Sequence, residues 1–175
     1  THPGVFAAGA QNPTDIRNYH MDGVRDHPAQ FIASHGLDLH ARFDGRYLYV
    51  ATYDAGEGND HFIFVSTNPA EAASAPWAKA GQVGRWVAYL ADENDSAFTG
   101  WFDASGNQVT NRFVARAATY YENGGRLEGV LDLGQILSPG FTQTLYVAAA
   151  PYGNSDGGGL VTSAQAPDGN GDGNL

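Results

Sequence analysis

Four side chains that carry cation-binding oxygens, Asp54, Glu57, Asn59 and Asp60, fall within YDAGEGNDHFIFVS, residues 53–66. Calcium takes about six to eight oxygens from carboxylates, amides and backbone carbonyls. Gly56 and Gly58 free the backbone from side-chain clashes, so carbonyls can turn inward beside the carboxylates. Three carboxylates held close together repel one another, and a divalent cation removes that cost. The spacing predicts a calcium site; its alternative is a solvated turn. A second acidic run, DENDS, offers Asp92, Glu93 and Asp95 to a cation, or Asn94 and Asp95 to sugar hydroxyls, or is a plain loop. In the C-terminal DGNGDGNL, Asp168, Asn170 and Asp172 take positions 1, 3 and 5 of a calcium loop, with Gly173 at position 6. The sequence stops before the carboxylate expected at position 12, so weak binding is predicted there.

Aromatic rings supply a second chemistry. Pyranose rings present apolar C–H faces, and tryptophan is the largest platform for them. The tryptophans are Trp77, Trp86 and Trp101. Trp77 follows Pro76 in a loop and is the best placed to be exposed. Trp101 and Tyr152, the latter in PYGN, are further candidates, whereas Trp86 in an apolar run reads as core. Arg85, Asp92, Asn94 and Lys79 are candidate partners for sugar hydroxyls. The six histidines show no i, i+4 pair of the metalloprotease kind, and nucleophile-elbow and phosphate-loop motifs are absent. Carboxylate pairs for glycoside cleavage are not discernible on facing strands.

The elements that must position these residues follow from composition. There are 23 glycines, 8 prolines, a single methionine and few helix formers, which favours strands joined by turns. Acidic residues outnumber basic ones 19 to 9, for a net charge of −10. That argues against nucleic acid and against an anionic membrane surface. With no cysteine, disulfides, thiolate nucleophiles and Cys-ligated zinc are excluded. No apolar run approaches the ~20 residues of a membrane helix. A start at Thr1 leads us to expect a processed or excised piece of a secreted protein.

Residues 1–19 are expected to be irregular, 20–155 a single β domain, and 156–175 a Gly-rich tail or linker. LDLHARFDGRYLYVATYD predicts a hairpin turning at Asp44-Gly45. Its second strand is apolar on both faces and should be central. HFIFVST is predicted to pair antiparallel with it across the acidic loop. Further strands are expected near residues 30–34, 85–91, 100–109, 112–121, 126–136 and 143–152. Helix is expected only in the 70s and near 133–137. Short strands with turns about every ten residues predict an all-β, antiparallel β-sandwich of immunoglobulin-like architecture with little helix.

MDGVRDHPAQFIAS, LDLHARFDGRYLYVATYDAGEGNDHFIFVS and GRLEGVLDLGQI resemble the DOMON-like superfamily. Within it, the chain is most similar to family 9 carbohydrate-binding modules and to terminal domains of glucodextranase-type and amylase-type enzymes. The resemblance spans residues 20–152. It implies a β-sandwich linked to a catalytic domain, binding a polysaccharide or oligosaccharide between aromatic side chains, with structural calcium and no catalysis of its own. A calcium-stiffened spacer or protein-interaction domain is the alternative. Other DOMON-like domains bind haem through Met with His or Lys, for which Met21 would be the available thioether; a glycoside-cleaving enzyme is a further reading.

Overall fold

In the strand YLYVATY, residues on both faces are apolar, and this strand lies at the centre of a sheet. The computed structural model describes residues 15–24, 29–53, 58–93, 98–120, 126–137, 144–169 and 171–175. Eleven strands are seen among them: β1 (Gln30–Ser34), β2 (Asp38–Phe43), β3 (Tyr47–Tyr53), β4 (Asn59–Ser66), β5 (Ala72–Ser74), β6 (Gln82–Gly84), β7 (Ala88–Asp92), β8 (Thr99–Asp103), β9 (Ala115–Tyr120), β10 (Arg126–Asp132) and β11 (Tyr146–Gly153). One helical turn, α1 (Leu133–Ile136), follows β10. The first sheet has the order β1-β2-β3-β10-β9, the second β11-β4-β7-β8, and β5 pairs with β6 alone. All these pairings are antiparallel. The expected β-sandwich is the architecture found.

Strand alternation sorts side chains into three apolar layers. Leu39, Leu48, Val50, Leu127 and Leu131 of the first sheet meet Ile63, Val65, Leu90, Trp101 and Ala149 of the second in the central core. The outer face of the second sheet is also apolar, with Phe62, Phe64, Tyr89, Phe102 and Tyr152. The outer face of the first sheet places Tyr49, Ala51 and Val130 under Ile16 and Tyr19.

The β2–β3 hairpin turns where expected. Gly45 has φ +97°, and the Asp44 carboxylate accepts from the N–H groups of Arg46 (2.9 Å) and Tyr47 (2.7 Å). The Arg46 guanidinium then reaches Asp132 with two bonds of 2.9 and 2.7 Å, and Asp132 also caps α1 through the Gly134 N–H at 3.0 Å. Gly23, at φ +73°, donates its N–H to buried Glu128 at 2.7 Å, and the Tyr49 hydroxyl donates to the same carboxylate at 2.9 Å.

Three expectations change. HFIFVST does not pair with β3, whose neighbours are β2 and β10; it crosses to the other sheet and pairs with β7 and β11. The acidic loop therefore joins two sheets and is no hairpin turn. The 70s form β5, a turn and β6 in place of a helix, consistent with Pro69 and Pro76. The C-terminal residues, expected as a linker, are part of the fold. Ala149 and Ala166 exchange both backbone bonds (2.7 and 2.8 Å), and Leu175 bonds Gln82 and Gly84 at 3.0 and 2.9 Å.

Candidate functional site

The edge strand β11 is covered by the C-terminal segment at Ala149 and Tyr152, and among the described residues none pairs with its beginning on that edge. There Tyr146 is 49% exposed. A bulge in β1 between Phe31 and Ala33 breaks the alternation, so consecutive Phe31 and Ile32 both face outward, at 57% and 43% exposure. Ile32, Leu145, Tyr146, Phe64, Pro69 and Leu175 line an open, mainly apolar groove of ≈ 480 Å³. A shallower depression of ≈ 590 Å³ shares Ala148, Pro167 and Leu175 with it and adds Gln165, Asp168, Asp172 and Asn174. The result is a continuous apolar floor that runs into a polar lip. Saccharides, with C–H faces and hydroxyl edges, need that combination.

The residues expected from sequence fall differently. Trp101 is 1% exposed in the central core, and its indole N–H donates to the Arg116 carbonyl at 3.0 Å. Tyr152 is fully buried, edge-on to Phe62. Neither ring offers a face to a sugar, because each fills a layer between packed elements. Trp77 is half-buried, with its ring set edge-on to Phe62 (5.1 Å) and Phe102 (5.6 Å), so it closes the outer layer of the second sheet. Trp86 is likewise packed, against Phe64 and Tyr89. Arg85 is exposed and paired with Glu71 at 3.3 Å. Asp92 is buried and accepts from the Thr99 hydroxyl at 3.1 Å. Asn94 lies outside the described residues. Among the described residues, the structure thus does not gather these side chains into one sugar site. Tyr146 was missed in sequence because it reads as one more residue of an apolar run; the only signal was its place at the polar end of QTLYVAAAPY.

The calcium candidates also separate. Asp54, Glu57 and Asn170 lie outside the described residues, and Asn59 opens β4 opposite Gly153. Asp60 does not face a free cation site. Its carboxylate meets the Lys79 ammonium at 2.7 Å, with both side chains at most 5% exposed. The same ammonium donates to the carbonyls of Gly153 (2.8 Å) and Ser155 (3.0 Å). Three oxygens thus already hold a positive charge, and that charge belongs to the chain. Consecutive positive φ at Trp77 (+55°) and Ala78 (+54°) turn the backbone here, a conformation that L residues hold only under support from packing. At the C-terminus, Asp168 contacts His35 at 3.3 Å, and Asp172 accepts from the Asn174 N–H at 2.9 Å. Among the described residues, no three His, Asp or Glu side chains gather in a way that would hold a metal.

His61, on the inner side of β4, carries a pH signature. Its imidazole is almost fully buried, 3.9 Å from the Asp92 carboxylate. Burial pushes its pKa down to about 4, opposed by the charge of Asp60. An unfolded histidine titrates near ~6.5. Between these values the unfolded chain binds a proton that the folded chain does not. Stability therefore falls as the pH drops through this window, by about 3 kcal/mol in all. His61→Leu should remove that slope in urea unfolding from neutral pH downward; a wild-type-minus-variant difference that stays constant with pH would contradict the assignment.

No helix among the described residues is long and apolar enough to cross a membrane. No protein-family model matches the chain, and no curated protein matches it. Among solved structures, the chain is similar to a family 9 carbohydrate binding module from Caldicellulosiruptor kristjanssonii in complex with cellotriose, at 13% identity over 85% of this chain and 76% of that one, with a TM-score of 0.41.

Proposed function

We propose that this β-sandwich is a non-catalytic carbohydrate-binding module and that the saccharide lies in the groove beside Tyr146. The observation that carries the reading is the continuity of apolar floor and polar lip along the start of β11. One pyranose ring would stack on Tyr146, with Ile32 and Pro69 bounding its apolar face. Hydroxyls would reach Asp168, Asp172 and Asn174. In this reading the domain is extracellular and serves a covalently linked carbohydrate-active enzyme. The sequence words shared with the family 9 modules support that setting.

Calcium keeps a place in the proposal with a reduced donor set. Asp60 is committed to Lys79, and a second cation beside that ammonium would be repelled. The ion would then rest on Asp54, Glu57 and Asn59. Its contribution would be to hold the crossing between the two sheets.

The test is calorimetric titration with neutral oligosaccharides, cellotriose, maltotriose and xylotriose among them, in calcium and in chelator. Tyr146→Ala should weaken the productive ligand by about 2 kcal/mol or more, as at an aromatic anchor, without lowering the melting temperature. Chelator should lower the melting temperature of the wild type. Absence of binding to every neutral saccharide, or unchanged binding by Tyr146→Ala, would overturn the groove assignment and favour a spacer or protein-interaction domain. Unchanged melting and binding in chelator would remove calcium from the proposal.

A further inference from the structure

A second cavity, sharing no residue with the groove, lies on the first sheet beside its edge strand β9. It holds ≈ 370 Å³ and is lined by Arg17, Arg112, Arg116, Tyr47, Phe113 and Val130, among others. Its volume is within the range of small-ligand pockets, about 300–1,000 Å³. Its charge runs against that of the molecule: three of the nine basic residues of a chain with net charge −10 meet here.

The three guanidiniums differ in how much charge they leave over. Arg17 is paired with Asp15 through bonds that include 2.8 and 2.9 Å contacts, so it is largely neutralised. Arg116 donates to two backbone carbonyls, those of Tyr19 and Arg17, each at 2.8 Å. Carbonyls fix its position and leave its full charge in place. Arg112 lies over the Phe113 ring at 5.0 Å, with no carboxylate partner among the described residues. Phe113 is 81% exposed, a large apolar ring left in water next to a cation that has no carboxylate partner among the described residues. Two net positive charges, one rigidly held, therefore face a cavity with an open aromatic wall.

We propose that this cavity is a binding site for an anionic saccharide unit, in which Arg112 and Arg116 receive a carboxylate or sulfate and Phe113 receives the C–H face of the ring. Guanidinium forks match carboxylate and sulfate oxygens with paired, charge-assisted hydrogen bonds. A volume of ≈ 370 Å³ is at the small end of the range for ligand pockets, about 300–1,000 Å³, which favours a single sugar unit over an extended acidic peptide. The proposal is independent of the Tyr146 groove, which presents Asp168 and Asp172 and would repel an anion.

The experiment titrates the whole domain with trigalacturonate, a sulfated galactotriose, neutral galactotriose, inorganic sulfate and hexaglutamate. At least one of the two anionic saccharides should bind about tenfold or more tighter than the neutral one, as expected for hydrogen bonds to a charged group. The stronger of the two arms tells carboxylate from sulfate ester. Raised salt should weaken the binding. Arg112→Gln, an exposed substitution, should abolish the preference, and Phe113→Ala should weaken anionic and neutral forms alike. Tyr146→Ala should leave this binding intact, which separates its fate from that of the groove. Equal binding of neutral and anionic saccharides, equal binding of hexaglutamate or of sulfate alone, or indifference to Arg112→Gln would each overturn the proposal.

Discussion

Replacing Lys79 with methionine should cost the fold about 3–5 kcal/mol, the expected penalty for leaving one partner of a buried ion pair alone. The variant keeps the length of the side chain and removes the charge. Asp60 then keeps a buried carboxylate without the ammonium at 2.7 Å, and the carbonyls of Gly153 and Ser155 lose their donor. These carbonyls belong to the end of β11 and the loop after it, so the damage should reach the packing of the C-terminal segment. The same physics makes a second prediction of opposite sign. Desolvating two charges offsets most of what their attraction returns, so Lys79→Met combined with Asp60→Leu should recover most of the loss. Urea unfolding of the four proteins reads the cycle directly. A single-variant cost under about 1 kcal/mol would mean that the pair behaves as an exposed one.

That pair also shows where sequence reasoning reached its limit. The motif PWAKAG contains one lysine among small residues, and nothing local signals that its ammonium will be buried. The partner, Asp60, reads in isolation as one more member of an acidic loop. Only the crossing of β4 into the second sheet brings them together. That crossing was itself illegible, because β3 and β4 are both apolar on two faces and could pair with each other as well as with anything else. By contrast, the strands themselves, the central place of β3 and the Asp44-Gly45 turn follow from alternation and turn chemistry. The sequence words that carried the family resemblance have a structural role here. Arg46 of DGRYLYVA grips Asp132 of GVLDLG, and Gly23 of MDG docks on Glu128. They encode how the first sheet is tied together and covered. The groove and the arginine cavity take Ile32, Phe64, Tyr47 and Val130 from those words, but Tyr146, Asp168, Arg112 and Phe113, on which their chemistry rests, lie outside them.

Trp101→Ala should destabilise the domain by about 3–5 kcal/mol, the range for truncating a large buried aromatic, while leaving neutral-saccharide affinity per folded molecule unchanged. The ring is 1% exposed between Leu90 and the first sheet, and its N–H satisfies the Arg116 carbonyl. Gly129 of β10 exists to admit it. A Cβ at Gly129 would stand 2.7 Å from the indole nitrogen and 2.8 Å from a Leu90 methyl, so Gly129→Ala should itself cost about 1–3 kcal/mol through overpacking. The two changes share one volume, so they cannot be additive. With the indole gone, the added methyl enters the cavity that Trp101→Ala creates, and the double variant should be less damaged than the sum of the singles. Trp101→Phe isolates the remaining contribution, because it keeps a ring and gives up the bond to the Arg116 carbonyl. Since that carbonyl belongs to the strand that carries the Arg116 side chain into the arginine cavity, loss of the bond should loosen anionic-ligand binding before it affects the Tyr146 groove. Loss of neutral-saccharide binding in a fully folded Trp101→Ala variant would return this residue to the role of platform and remove it from the core.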